Sequence, residues 1–503
     1  MNPIDRVLNG ITMYRLTLYY LLALLAAAIV FGFFALLPFT PVAILFSALL
    51  ITFSCLLINK LCAFLFSAPT NVESTYITAL ILALIVSPVS PLNMLGVFYL
   101  VLLSAIAITS KYLLTLNKSP IFNPAALAVV VMGLVFGQGA SWWVGGNVPL
   151  LPFVLIGGLL LLRKMQRFDL VCTFTIAALL SVWITAPSYN LLDLLQKVFV
   201  GSPLLFLGFV MLTEPITTPS RRPIRLGYGA LVGALFAPAI HIGSLYSTPE
   251  LALIVGNFFS SFINPKGRMI LTLNAIERTS QSSSDFVFSS DRMLTFRPGQ
   301  YMEWTFPHEK PDSRGNRRYF TIASSPTESN IRLGVKFTEP ASSFKDALAA
   351  MRPGQSLSAL RVGGDFTLPS NPKRKLVFIA GGIGITPFRS MITYLLGKRE
   401  KRDIVLFYSN RTRGDIAYKE IFDKARVVLG LRVMYAITDE APIEGFHTGM
   451  ITKELIAREV PDYSERIFYI SGPNSMVEGF KKTLADLGIP GRHIKTDFFP
   501  GFA

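Results

Sequence analysis

The sequence predicts two architectures in one chain: a polytopic α-helical membrane domain of about ten spans over residues 1–265, then an antiparallel β-barrel over 266–370 and a doubly wound α/β domain over 371–503. Three observations carry this. The 503-residue chain is 51% hydrophobic and only 16% charged, well below the roughly quarter-charged composition of soluble domains. Its charge is uneven, with 14 Lys/Arg and 6 Asp/Glu in residues 1–268 against 33 and 25 in residues 269–503. From about residue 269 long apolar runs give way to short alternating ones separated by Gly/Pro turns. Intrinsic disorder, collagen-like repeats and a single compact domain are excluded.

Residues 14–37 are long enough to cross a bilayer at about 1.5 Å per residue and read as a retained anchor rather than a signal peptide. Further apolar runs lie at 42–58, 75–88, 93–110, 121–137, 149–162, 169–186, 201–213, 227–246 and 250–264. With the N-terminus inside, thirteen Lys/Arg fall on inner segments and only Lys197 on outer loops. This positive-inside bias predicts an even count of spans in a cell (inner) membrane, with the N-terminus and the charged C-terminal half cytoplasmic. Lipid, not nucleic acid, is therefore the partner the basic excess implies. Trp142 and Trp143 fall in an outer loop, where an interfacial aromatic anchor is expected.

Two inner loops carry more than a connector needs. Ser119–Leu127 (SPIFNPAAL) leads into a run and Thr213–Pro219 (TEPITTP) leaves one. Proline and polar groups at helix ends free backbone groups that protein or ligand must satisfy, which makes Asn123 and Glu214 candidate binding residues. The plainer alternative is a helix stop with turn chemistry. Cys55, Cys62 and Cys172 are too few for a four-thiolate iron–sulfur site. Of four histidines only His241 lies among the spans, so paired haem ligands are lacking, and no metal site is written.

In the charged half, Met269–Ile276 and Ile331–Phe337 read as strands of a small antiparallel barrel. Arg297-Pro298-Gly299-Gln300-Tyr301 is a turn entering a strand, and Arg317-Arg318-Tyr319-Phe320-Thr321 follows. On a strand Arg318 and Phe320 share a face while Thr321 points away. The guanidinium fork suits a phosphate and the ring suits an isoalloxazine. A register on Arg317 and Tyr319 overlaps it but leaves no Ser/Thr in place. Ser342 and Ser343 precede the apolar-periodic run Phe344–Met351, where free helix N–H groups suit a pyrophosphate.

Lys375–Ala380 reads as a buried parallel strand running into Gly381-Gly382-Ile383-Gly384-Ile385-Thr386-Pro387, with a helix from near Phe388. Such a turn lets a diphosphate approach the backbone at a helix N-terminus. Strands at Asp403–Tyr408, Arg432–Ala436 and Arg466–Ile470 follow, the last opening onto Ser471-Gly472-Pro473. Ser409 and Arg411 suit a ribose 2′-phosphate, and Asp415 is the nearby acid. NADPH is slightly favoured, with NADH open.

The FNPAAL, TEPITTP and RKMQRFDL segments resemble a family of membrane proteins shared by the Rnf complex (its D component) and sodium-translocating NADH:quinone reductase (its B component), over roughly residues 15–262. That resemblance implies a bundle of about ten helices that carries flavin and passes electrons through the membrane. The family's attachment threonine is missing from Val198-Phe199-Val200-Gly201-Ser202-Pro203, so the FMN it admits is non-covalent. The ordered motifs of 269–503 resemble the ferredoxin–NADP reductase superfamily. This implies FAD and NAD(P)H: Arg318 on FAD phosphate, Tyr319 and Phe320 at the flavin with Phe320 stacked, Thr321 near N5, and Ser342 and Ser343 at the pyrophosphate. It places Gly381, Gly382, Gly384, Thr386 and Pro387 in the nicotinamide loop and Gly472 in the last motif. Thr321, Ser471, Asp497 and Phe499 form the implied catalytic group, with Phe498 and Phe499 covering the flavin. The expected protein is a membrane-bound flavoprotein passing electrons from NAD(P)H through FAD to a second flavin, a quinone or a redox partner protein. The alternative is a sodium or proton pump subunit driven by the same electrons.

Overall fold

The computed structural model describes residues 4, 7, 8, 11–66, 72–117, 119–186, 189–219, 221–263, 267–308, 311, 312, 315–338, 341–442 and 444–497. Two compact units result, 11–267 and 268–503, with residues 1–10 grouped with the second.

In the helical unit every apolar run of the sequence coincides with a helix. These are α1 (Met13–Phe33), α2 (Pro41–Leu65), α3 (Val72–Ile85), α4 (Met94–Leu113), α5 (Pro124–Phe136), α6 (Leu151–Met165), α7 (Phe168–Thr185), α8 (Leu191–Phe199), α9 (Leu204–Phe206, continued by a π turn to Met211), α10 (Arg222–Ala234) and α11 (Pro249–Ile263). Among the described residues five helices are long and apolar enough to cross a membrane, or six if α8 and α9, bent by 57°, form one span. α3, α5 and α11 are apolar but only 14, 13 and 15 residues long. The run 227–246 is not one helix. α10 stops at Ala234, Pro238 follows, and His241–Ile242 pairs with Leu245–Tyr246 in a hairpin (β3, β4) turned by Gly243 at φ 60°.

Short helices inside a bundle leave carbonyls that lipid cannot satisfy. At the buried end of α3, Ser141 N and Trp142 N donate to Ile85 O, and the Trp143 indole donates to Ala83 O and Val86 O. The Trp142 indole donates to Glu250 at 2.9 Å. Both tryptophans are buried, so the expectation of interfacial anchors is corrected: they plug a helix end.

The unit repeats itself. α7 starts 127 residues after α2 (Phe168 against Pro41), and α10 starts 128 after α4 (Arg222 against Met94). α3 runs into Ser87-Pro88-Val89-Ser90-Pro91 and α9 into TEPITTP. A two-residue hairpin precedes Asn123-Pro124 at α5 (β1, Thr115–Leu116; β2, Ser119–Pro120), and the β3/β4 hairpin precedes Thr248-Pro249 at α11.

The C-terminal unit opens with an antiparallel sheet ordered β8-β7-β10-β5-β6-β9, made of β5 (Met269–Arg278), β6 (Ser283–Ser290), β7 (Tyr301–Thr305), β8 (Arg317–Thr321), β9 (Ile331–Lys336) and β10 (Ser356–Gly363). Phe288, Trp304, Leu333 and Phe344 fill its core, the last from α12 (Ser343–Ala349). A wholly parallel sheet follows, ordered β14-β13-β12-β11-β15-β16: β11 (Leu376–Gly381), β12 (Ile404–Asn410), β13 (Arg432–Ile437), β14 (His447–Thr448), β15 (Ile467–Ser471) and β16 (Ile494–Asp497). All six residues of β11 are buried, as a central strand covered on both faces requires. The helices after β11, β12 and β15 are α13 (Thr386–Lys398), α14 (Lys419–Leu429) and α16 (Asn474–Asp486), with α15 (Lys453–Glu459) between the last two. Strand order reverses between β11 and β15, and ligands of such sheets lie at the carboxyl ends on either side of that point.

Candidate functional site

At that reversal Gly381, the last residue of β11, leads through a 3-10 turn into α13, with Pro387 in its first turn. Gly382 has φ 52°, and a side chain there would meet nothing within 4 Å, so the turn holds an open cradle. Gly384 is the opposite case. A Cβ there would stand 2.5 Å from Ser471 O and 2.6 Å from the Gly472 backbone, so this glycine is what lets the two strand ends touch. Thr386 is buried and donates to Ile383 O, closing the turn. The cradle fits a dinucleotide diphosphate.

Three residues predicted to act together do meet. Thr321, at the end of β8, and Ser471, at the end of β15, each donate to one oxygen of Asp497, at 3.3 and 3.4 Å. Asp497 ends β16, the parallel neighbour of β15, which sets it opposite Ser471. Burial pushes its pKa up to about 7, while the two hydroxyl bonds pull it down. A carboxyl group that holds its proton near neutrality, wired to hydroxyls from both sheets, is equipped for proton transfer. Phe498 and Phe499 lie outside the described residues.

The corner expected to hold flavin phosphate is built differently from its sequence reading. Arg318 is buried and shares the ring of Phe344 with Phe320, whose centroid is 5.8 Å from it. The fork is engaged within the protein, Nη2 donating to Asp312 at 2.9 and 3.2 Å and Nη1 to Gly315 O and Arg317 O. The hydroxyls are engaged too. Ser342 caps Lys345 N, and Ser343 accepts from Asp312 N and bonds His308. A buried guanidinium needs a counter-charge, and Asp312 supplies it, so the expectation of a fork free for phosphate is corrected. Tyr319 faces the other way, donating to Glu303 and packing edge-on against Tyr301. Arg318→Ala is expected to lower flavin occupancy of the purified protein, measured by absorbance per chain. Full occupancy with a lowered Tm would assign the arginine to the Asp312 loop alone.

At the next strand end Ser409 is half-buried, opposite Gly381. Arg411 is 80% exposed and faces not Asp415 but Asp439, at 4.0 Å, whose backbone N–H donates to Arg411 O. Asp415 accepts from Ser282 and Lys336 of the barrel instead. Sequence reasoning missed Asp439 because β12 and β13 meet only in the sheet.

In the helical unit Asn123 caps α5 through Ala126 N and donates to Glu214 at 2.8 Å. Its backbone N–H donates to Asn257, which donates to Tyr228. The two loops singled out in the sequence thus meet, with α10 and α11, in one buried network. Beside it lies a cavity of about 10 Å³ lined by Ser119, Ile121, Ile216, Thr217 and Ser260, where the Ser119 hydroxyl is buried without a partner. That is room for a single water. Arg225, expected to offer its charge to a ligand, is buried against Asp169 at 2.6 Å.

Residues 378–482 match the family described as Oxidoreductase NAD-binding domain. The chain is 30% identical over 230 residues to Oxidoreductase NAD-binding domain-containing protein 1 of Pongo abelii, covering 41% of this chain and 71% of that one. It is 25% identical over 224 residues to the stachydrine N-demethylase reductase subunit Stc4 of Rhizobium meliloti (strain 1021), covering 43% and 63%. To a Na(+)-translocating NADH-quinone reductase subunit of Yersinia pestis (strain Pestoides F) it is 30% identical over 200 residues, covering 37% and 49%. The chain thus spans about half to two thirds of the length of most relatives it matches.

Proposed function

Because the chain belongs to the family of oxidoreductases with an NAD-binding domain, we propose that it is a membrane-bound flavoprotein that takes electrons from NAD(P)H through FAD to a membrane-associated acceptor. The observation that carries this is the meeting of Thr321 and Ser471 on Asp497, beside the Gly382 cradle. Bound FAD would supply a two-electron acceptor able to release electrons singly. The chain's own part is to seat the diphosphate on the Gly381–Pro387 turn and to hold a proton at Asp497, in reach of Thr321 Oγ1. Arg411 favours a 2′-phosphate and Asp439 a free ribose diol, so both nucleotides fit the rim.

For the helical unit we read ten crossings, the short helices being buried by their neighbours, in a cell (inner) membrane. An acceptor such as a quinone, or a redox partner protein, would be met near the Asn123–Glu214 network. FMN does not fit the cavity of about 10 Å³ beside that network, and no step is assigned to it. One observation favours the pump reading. The network joins Asn123 of the first repeat to Glu214 and Asn257 of the second, where repeat-built transporters place their sites.

The deciding experiment is absorbance of the purified protein: bound FAD should bleach on adding NADH or NADPH, and flavin-free protein indifferent to both would sink the proposal. Asn123→Ala and Glu214→Ala should leave reduction of a soluble dye within twofold of wild type, yet slow reduction of a membrane quinone severalfold. Equal rates with both acceptors would make these loops structural punctuation.

A further inference from the structure

The seam between the barrel and the parallel sheet is polar, and its bonds converge on the two segments that must act together. From the first turns of α13, Arg389 Nη1 donates to Ala323 O at 2.8 Å and to Glu328 Oε2 at 2.6 Å, while Nη2 donates to Glu328 Oε1 at 2.8 Å. The next residue, Ser390, donates to Ser324 O at 2.6 Å. Arg389 is 4% exposed and Ser390 fully buried. Ala323 stands two residues after Thr321, and Arg389 three residues after Thr386. Four hydrogen bonds therefore tie the end of the flavin strand to the end of the nucleotide turn, with almost no chain between to absorb slack.

The pair does not stand alone. Arg332 on β9 lies 3.6 Å from Glu328 and 3.4 Å from Asp285, and also pairs with Glu277. Asp285 accepts from the Tyr418 hydroxyl, and the Arg389 guanidinium lies 5.5 Å from the Tyr418 ring centroid. The circuit closes across the seam. Gly334 of β9 lets it close, because a Cβ there would stand 2.5 Å from the Tyr418 oxygen and 2.7 Å from Thr386 Cγ2.

A buried ion pair is a poor way to gain stability, since an apolar seam of equal volume holds as well or better. What a bidentate fork adds is direction, because it fixes both distance and angle. Group transfer between two bound partners needs the reacting atoms within about 3–3.5 Å, and a misplacement of about 1 Å can cost on the order of 100-fold. We propose that Arg389 and Glu328 are positioning residues that set the gap between the flavin strand β8 and the nucleotide turn Gly381–Pro387. This rests on the function proposed above.

The test compares FAD-loaded wild type with Glu328→Gln, which keeps the shape and removes the charge, and with Arg389→Lys, which keeps the charge and loses the fork. Three quantities are read: FAD per chain, the single-turnover rate of flavin bleaching by NAD(P)H, and the long-wavelength charge-transfer absorbance formed on adding the nucleotide. Both variants should retain FAD within twofold, bleach at least tenfold more slowly and lose most of the charge-transfer absorbance. Unchanged bleaching and absorbance, with only faster amide exchange over 323–332, would overturn the proposal and leave the pair a plain fastener. Should either variant purify without flavin, Ser390→Ala carries the test. A slower rate and a weaker band support the proposal, and wild-type values for both overturn it. Wild type that fails to bleach would instead overturn the function on which this rests.

Discussion

Gly382→Val is expected to abolish NAD(P)H oxidation, by roughly 10²–10³-fold in kcat/KM, while bound FAD survives. The expectation rests on two features of one residue. A Cβ at Gly382 meets no protein atom within 4 Å, so the added side chain enters the open cradle rather than the core. That cradle lies where strand order reverses, the place a diphosphate must approach the backbone. The φ of 52° adds a strain of about 1–2 kcal/mol for a side-chain-bearing residue. Gly382→Asn, which tolerates this backbone, therefore separates strain from blockage. It should bind the nucleotide as poorly as valine with a Tm close to wild type. Gly384→Val serves as the contrast, because its side chain would strike Ser471 O and the Gly472 backbone and should cost the fold and the flavin together. Titration of flavin bleaching against NADH and NADPH, with FAD absorbance and Tm on the same samples, measures all three variants. Wild-type nucleotide affinity in Gly382→Val would remove the turn from the site.

Asp497→Asn should flatten two pH profiles at once. Burial raises this carboxyl group from an ordinary value near 3.8 to about 7. Between these values the folded protein keeps a proton that the unfolded chain has released. Its contribution to stability is therefore complete below about pH 4 and is lost as pH rises through 7. Wild-type Tm should fall from pH 5 to pH 8 by more than that of Asp497→Asn, which is neutral throughout. In the same range the wild-type bleaching rate should bend near pH 7, because the protonated and ionised forms differ in what Thr321 and Ser471 can relay. Asparagine should remove the bend and lower the plateau by about 10²-fold or more, the usual worth of a positioned acid or base. Parallel profiles for the two proteins would show that the carboxyl group is fastened but idle. Thr321→Val separates its proton path from its packing: it should lose rate without moving the pH dependence of Tm.

Much of this protein was legible in the sequence because short-range patterns report directly on solvent. A run of apolar residues is the same signal wherever it lies, so each run predicted in the helical unit coincides with a helix, although only five helices are long enough to span by themselves. Lys375–Pro387 likewise announces a strand, a glycine turn and a helix, because backbone freedom and burial are written residue by residue. What the sequence could not determine is which charges find each other. Arg318, Arg225 and Asp415 looked available for ligands, yet Asp312, Asp169 and the Ser282–Lys336 pair engage them. Trp142 and Trp143 looked like lipid anchors, yet they close the end of α3. The 125- to 128-residue repeat escaped notice because it is kept in helix starts, prolines and hairpins rather than in matching side chains. The reason is common to all of these. A buried charge or a bare helix end must be satisfied by whatever the fold brings within about 3 Å, and residues as far as 176 positions apart become neighbours only when sheets and helices pack. Apolar periodicity and glycine turns are local facts of sequence; the Asp497 triad, the Arg389–Glu328 seam and the Asn123–Glu214 network are decided by tertiary structure alone.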